Sequence, residues 1–293
     1  MAVDITFIAK EVDLIVGALK GLKQEDNLFK DYMFPIASAF FTSILGWGIA
    51  YKTLHYQDGI MVEKEKMNAT NGLMLLAEEA LSVLISIKQN YHRELNKDPI
   101  QRITRVPSIL FNTNPLVVDY SKLIYLAPKS SDDNRQKWGS LPVIRNLIAN
   151  YNYLLSLWLH RNEIDVPNRE KIMRKNKDKA FLDVRFEDIK ACIGEADLVK
   201  WIDSTEQVII LTDDLIVELH DFLNNFPIFA KTRIDFNKLG DYGAILTFYD
   251  KGNKSILDML VKSPVADYSK VNDLFGKTVE QMRQRYSTGY EKM

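Results

Sequence analysis

Between Asp31 and Lys52 the chain carries no charged side chain: "YMFPIASAFFTSILGWGIAY", residues 32–51, is a run of twenty uncharged positions. As an α-helix rising ~1.5 Å per residue, it reaches roughly 30 Å, the thickness of a bilayer's hydrocarbon core. Tyr32 and Phe34 stand at one end and Trp47 and Tyr51 near the other, where amphipathic rings favour a lipid–water boundary. Lys30 and Lys52 close the run with cations able to snorkel. Pro35 falls in the first turn, where a missing amide proton would lack a helical partner anyway. The competing reading is a core helix of a soluble fold, because Ser38, Thr42, Ser43, Gly46 and Gly48 dilute the hydrophobicity. Such a helix usually keeps a polar edge toward water, and no face of this run offers a charge. The run therefore predicts a single transmembrane helix over residues 32–52.

One face of that helix is distinctive. Ser38, Thr42, Gly46 and Ala50 recur at every fourth position and form a stripe of small side chains along which two backbones can approach closely. The stripe predicts self-association and a homo-oligomer.

The flanks read as ordinary helix. Residues 1–31 are amphipathic, with Ile8, Val12, Ile15, Leu19 and Leu22 at helical spacing and charges interleaved, unlike the basic-then-apolar order of a signal peptide. After the run, Leu73, Ala77, Ala80, Leu84, Ile87, Tyr91 and Leu95 step by three or four, predicting a long juxtamembrane helix over residues 53–98. Pro99, Pro107 and Pro115 then mark residues 96–116 as a connecting segment. "LVVDYSKLIYLAP" reads equally as helix or strand, and "KSSDDNRQKWGS" reads as a loop. Further helices are expected from Pro142 to about Asn162, in "VRFEDIKACIG", and over residues 198–226 up to Pro227. Two apolar runs around "DKGN", residues 250–253, predict a small β-hairpin, followed by a polar terminal helix. The fold class expected is mainly α: an N-terminal amphipathic helix, a single transmembrane helix, and a helical domain over residues 99–293 with a small β-hairpin near the C-terminus.

Chemical signatures are scarce. Neither GxGxxG nor GxxxxGK[ST] occurs, and His55, His92, His160 and His220 are too scattered to form a ligand pair, so no cofactor and no metal are expected. Cys192, the lone cysteine, has apolar neighbours and reads as a small packed residue. Asp213 and Asp214, with Glu218 and His220 nearby, read as the wet side of a helix. His160, Arg161, Asn162 and Glu163 read as a helix end, where cations suit the dipole. Arg169, Lys171, Arg174, Lys175, Lys177 and Lys179 outnumber Glu170 and Asp178, and read as a solvated loop or as a contact to anionic lipid headgroups. Without interleaved aromatics that stretch does not suggest nucleic acid, and 38 basic against 39 acidic residues leave no global field to attract it.

Together these features predict a non-enzymatic, single-pass binding or sensing protein in the cell membrane, oligomeric, with the lipid bilayer and a protein as partners. The lone cysteine favours a cytoplasmic C-terminal domain. Two alternatives stand beside it: an effector that perturbs the membrane by assembling through the small stripe, and an enzyme with a dispersed site drawing on His160, Glu163 and His220.

Overall fold

A computed structural model of the chain describes residues 16–17, 33–112, 114–128, 136–175, 186–249 and 253–290. It is mainly helical and divides into two units, residues 1–61 and residues 62–293. The expected amphipathic helix over residues 1–31 lies outside the described residues, apart from Val16 and Gly17, which are helical.

A single helix, α1 (Phe34–Gln89), runs through both the uncharged stretch and most of the long helix expected after it. Nothing interrupts it: after Pro35 the next proline is Pro99, and Gly46, Gly48, Gly59 and Gly72 are too dispersed to break 56 residues of helix. It ends where Asn90 turns its side-chain amide back onto the Ser86 carbonyl at 2.7 Å, ahead of a turn over residues 90–94. All its buried residues lie from Glu63 onward, on a stripe that includes Met67, Leu73, Ala77, Leu81 and Leu84.

Within the second unit that stripe joins α3 (Leu141–Lys175) and α5 (Glu195–Lys231) in one core. Tyr151, Leu154 and Trp158 of α3 meet Leu215, Leu219 and Phe222 of α5, all at most 1% exposed. Burying side chains of that size stabilises by about 1.5–3 kcal/mol each before the entropy of ordering is counted. A second cluster gathers Trp201 and Ile202 of α5, Ile103 of α2 (Pro99–Arg105), Ile172, and Ile189 of α4 (Phe186–Ile193). The C-terminal residues Tyr268, Val271, Met282 and Tyr286 complete it.

Several boundaries differ from the sequence reading, each for a local reason. Residues 96–116 contain helix α2 because Pro99 sits in its first turn and the Asp98 carboxylate caps it, accepting from the Ile100 amide at 3.0 Å. Helices α3 and α5 run through Pro167 and Pro227, because buried residues on both sides of each proline hold the helix across the missing hydrogen bond. Residues 120–126 form a 3₁₀ helix begun by Asp119. The β-hairpin is overturned. Among the described residues there is no strand, and the second apolar run forms α7 (Lys254–Leu260), with the Asn253 side chain accepting from the Ile256 amide in place of a hairpin turn.

The remaining elements are short: α6 (Phe236–Leu239), α8 (Asn272–Phe275) and α9 (Val279–Arg285), the last opened by a capping box between Thr278 and Gln281.

Candidate functional site

Two regions combine unusual chemistry with a defined geometry, one in each unit. In the first, residues 34–58 of α1 hold no buried side chain: Ile36, Phe40, Trp47, Ile49 and Leu54 are each at least 60% exposed. The hydroxyls of Ser38, Thr42 and Ser43 are satisfied internally. Ser38 donates to the Pro35 carbonyl at 3.3 Å, Thr42 to Ser38 at 2.7 Å and Ser43 to Ala39 at 2.8 Å. These three hydroxyls are therefore paired within the helix, which is what hydrocarbon demands. A Cβ added at Gly46 or Gly48 would meet nothing within 4 Å. Helix α1 is long and apolar enough to cross a membrane. The 18-residue window on which this rests is 44% buried and therefore lies wholly in the packed half after Glu63, whereas the exposed apolar residues lie before it.

The second region is a file of acids on α5. With ~100° between successive residues, Asp203, Glu206, Asp213 and Asp214 share one face. That face is covered by the C-terminal segment. Arg285 grips Asp203 with two hydrogen bonds of 2.6 Å, joined by the Tyr286 hydroxyl at 3.0 Å. Glu206 takes Arg102 at 2.8 Å and the Tyr268 hydroxyl at 3.5 Å. Asp213 accepts from the Ser263 amide at 2.6 Å, and the Lys88 ammonium sits 2.7 Å from its other oxygen, off the hydrogen-bond direction, as an ion pair. Asp214 pairs with Lys262 at 2.5 Å and accepts from Thr288. Lys88 also donates to the carbonyls of Met259 and Val261, each at 2.7 Å, so that a fully buried ammonium is satisfied on three sides.

Burial governs the electrostatics. Glu206 is fully buried and its carboxyl is pushed up to about 7 by desolvation, against the opposing pull of Arg102 and Tyr268. Burial, and then the facing acids Glu206 and Asp203, hold the Tyr268 and Tyr286 phenols well above the usual tyrosine range. Beside these groups lies a cavity of about 280 Å³ lined by Arg102, Asp213, Asp214, Lys262, Ser263 and Tyr268, among others. The Ser263 hydroxyl is buried without a hydrogen-bond partner, and so is Oε1 of Glu206.

The sequence-predicted residues are redistributed accordingly. Asp213, Asp214 and Glu218 are buried rather than wet, because each meets a cation from a distant segment; Glu218 takes Lys137 at 2.6 Å. Arg161 lies in the interior of α3, not at a helix end, and with Arg169 it clasps Asp165 at 2.9 and 2.7 Å. Trp201 donates to the same carboxylate at 2.9 Å, as does Ser108. Arg161 also donates to the Pro107 and Val106 carbonyls, and burial brings its guanidinium down to about 10 despite Asp165. Arg169 reaches the carbonyls of Ile103 and Val106, so it fastens the chain after α2. Lys171, Arg174 and Lys175 are exposed on the last turns of α3, with Lys171 3.4 Å from Asp197 and Arg174 3.3 Å from Glu170. Lys177 and Lys179 lie outside the described residues. His160 and Glu163 face each other at 3.6 Å on an exposed face, while His220 packs edge-on against Phe248. Among the described residues no group of three or more His, Cys, Asp or Glu is arranged to hold a metal ion.

Sequence reasoning missed Lys88, Arg102, Asp203 and Glu206. The available signal was position: Lys88 follows Leu84 by four on the buried stripe of α1, and Glu206 sits among Ile202, Ile209 and Ile210. A charge on an apolar stripe announces a buried partner. No protein-family model matches the chain, and no curated protein and no solved structure is detectably similar to it.

Proposed function

We propose that the protein is a single-pass, membrane-anchored binding or sensing protein, held in the bilayer by the first half of α1, with its helical C-terminal domain in the cytoplasm. The observation that carries this reading is the uncharged stretch of α1, whose large apolar side chains are exposed while its serine and threonine hydroxyls bond to their own helix. In water, exposing Phe40, Trp47 and Ile49 together is unfavourable; in lipid the same surface is solvated. The stripe of Ser38, Thr42, Gly46 and Ala50 supports a homo-oligomer, since close helix approach needs small side chains and the space beside Gly46 is open. The domain's cavity, where Ile209, Val265 and Ala266 line the wall beside the charged groups, supports a role in binding over one in chemistry, because most of those charged groups already neutralise one another.

Membrane fractionation of the full chain tests the anchor. The protein is expected in the pellet, resistant to alkaline carbonate and released by detergent; recovery in the soluble fraction without detergent overturns the proposal.

A further inference from the structure

A larger cavity, of about 710 Å³, lies wholly within the second unit, and none of the α5 acids lines it. It is a trough with α1 as one wall. Val62, Lys66, Ala69, Leu73 and Leu76 line it at alternating spacings of four and three, the seam along which one helix packs on another. From Val62 to Leu76 the seam runs ~21 Å, about four helical turns. The 3₁₀ helix Tyr120–Leu126 and the residues before it form the other wall. That wall is fastened to α1 where the Tyr125 and Thr70 hydroxyls bond to each other, and to the core by the buried Leu123. The trough is therefore held open by packing already in place. Gly72 also lines it, and a Cβ there would meet nothing within 4 Å, which leaves room for a close approach.

Apolar side chains along the trough stay in water: Val117 is 86% exposed, Ile124 71% and Val62 50%. A small molecule lying there would remain open along one side, whereas small-molecule sites envelop most of their ligand. A helix needs only one face covered. Charge narrows the choice further. Lys66 bonds to Glu63 at 2.7 Å and Lys122 stands 3.8 Å from Asp119, so of the charged residues lining the trough only Glu65 has no partner among the described residues. The surplus is negative. A parallel second copy laid on this face would set Glu65 against its own equivalent, so the charge favours a cation from a different chain.

We propose that this trough docks an amphipathic helix of a partner protein, its apolar side chains at i, i+3 or i+4 and i+7 seated between Val62 and Leu76, with a lysine or arginine facing Glu65. This names a partner for the binding role proposed above and rests on that role, but not on the membrane anchor.

Binding of a synthetic peptide to the full chain in detergent tests it, with empty micelles as the blank. The probe is a helix of about four turns with leucines at i, i+3, i+4 and i+7 and a lysine beside them. Saturable binding is expected, with hydrogen-exchange protection over residues 62–76 and 117–125. Exchanging the peptide's lysine for glutamate should weaken binding about fivefold, and in Glu65→Lys the order of the two peptides should reverse. Gly72→Trp fills the trough from an exposed position and should abolish binding of both. No saturable binding above the blank, or an unchanged peptide preference in Glu65→Lys, overturns the proposal. Equal binding of a proline-broken peptide with the same side chains overturns it in favour of an extended occupant, and a cross-linked dimer lost in Gly72→Trp overturns it in favour of a second copy. Membrane fractionation reads the anchor separately from all of these results.

Discussion

Gly139 stands where no side chain fits. A Cβ there would lie 2.7 Å from Cζ of Phe229, a ring that is itself in the core. Its neighbour Trp138 is locked edge-on against Phe222 and donates to Asp221 at 2.9 Å, so the backbone cannot retreat. Gly139→Ala is expected to destabilise the domain by about 1–3 kcal/mol, read by urea denaturation, with part of the loss recovered when Phe229→Leu makes room. Asp165 fails differently. It is fully buried between two guanidinium groups, and Asp165→Ala would strand both charges, at an expected cost of about 3–5 kcal/mol in the same measurement. Neither site was visible in the sequence, because a contact between residues far apart in the chain leaves no local pattern. Arg161 and Arg169 read there as a helix end and a loop, and only the helix running on through Pro167 shows that they share a face.

Among the elements, α1 was the most legible, and the reason is its period. The stripe from Leu73 to Ile87 could be read directly, and so could the absence of charge over residues 32–51. The hairpin was misread because a turn signal and a helix cap use the same residue types: Asn253 serves as a cap, and the run after it buries Met259 from a helix. Two substitutions probe α1 at opposite ends. Gly72 is exposed inside the helix, and a Cβ added there would meet nothing within 4 Å, so Gly72→Ala is expected to stabilise by about 0.4–1 kcal/mol, measured by thermal unfolding. Gly46→Leu should leave the domain's unfolding unchanged while lowering the cross-linked oligomer in membranes. An unaltered cross-linking yield would remove the small stripe from any role in association.

For the molecule as a whole, Cys192 is a ready reporter of topology. It is the only cysteine, partly accessible, with its thiol donating to the Lys171 carbonyl at 3.3 Å. A membrane-impermeant maleimide is expected to label it only after cells are opened; labelling in intact cells would place the C-terminal domain outside. The sequence conveyed the helical class and the uncharged run, since both are matters of composition and spacing. It did not convey how the helices of the second unit are joined, since those joints are ion pairs between α5 and segments far away in the chain.

The joints on α5 also govern how such a chain can change over generations. Losing Arg102 leaves Glu206 without its one charged partner, and losing Lys88 leaves Asp213 buried against an amide alone. Either loss is harmful by itself and tolerable only when the opposite member changes too. Apolar positions drift among leucine, isoleucine and methionine with little consequence, so sequence similarity fades there first. What descent would preserve is a set of matched exchanges, acid with base, at 102 with 206, 88 with 213, 203 with 285 and 214 with 262. Distant relatives of this chain would be recognised by those couplings sooner than by any single retained residue.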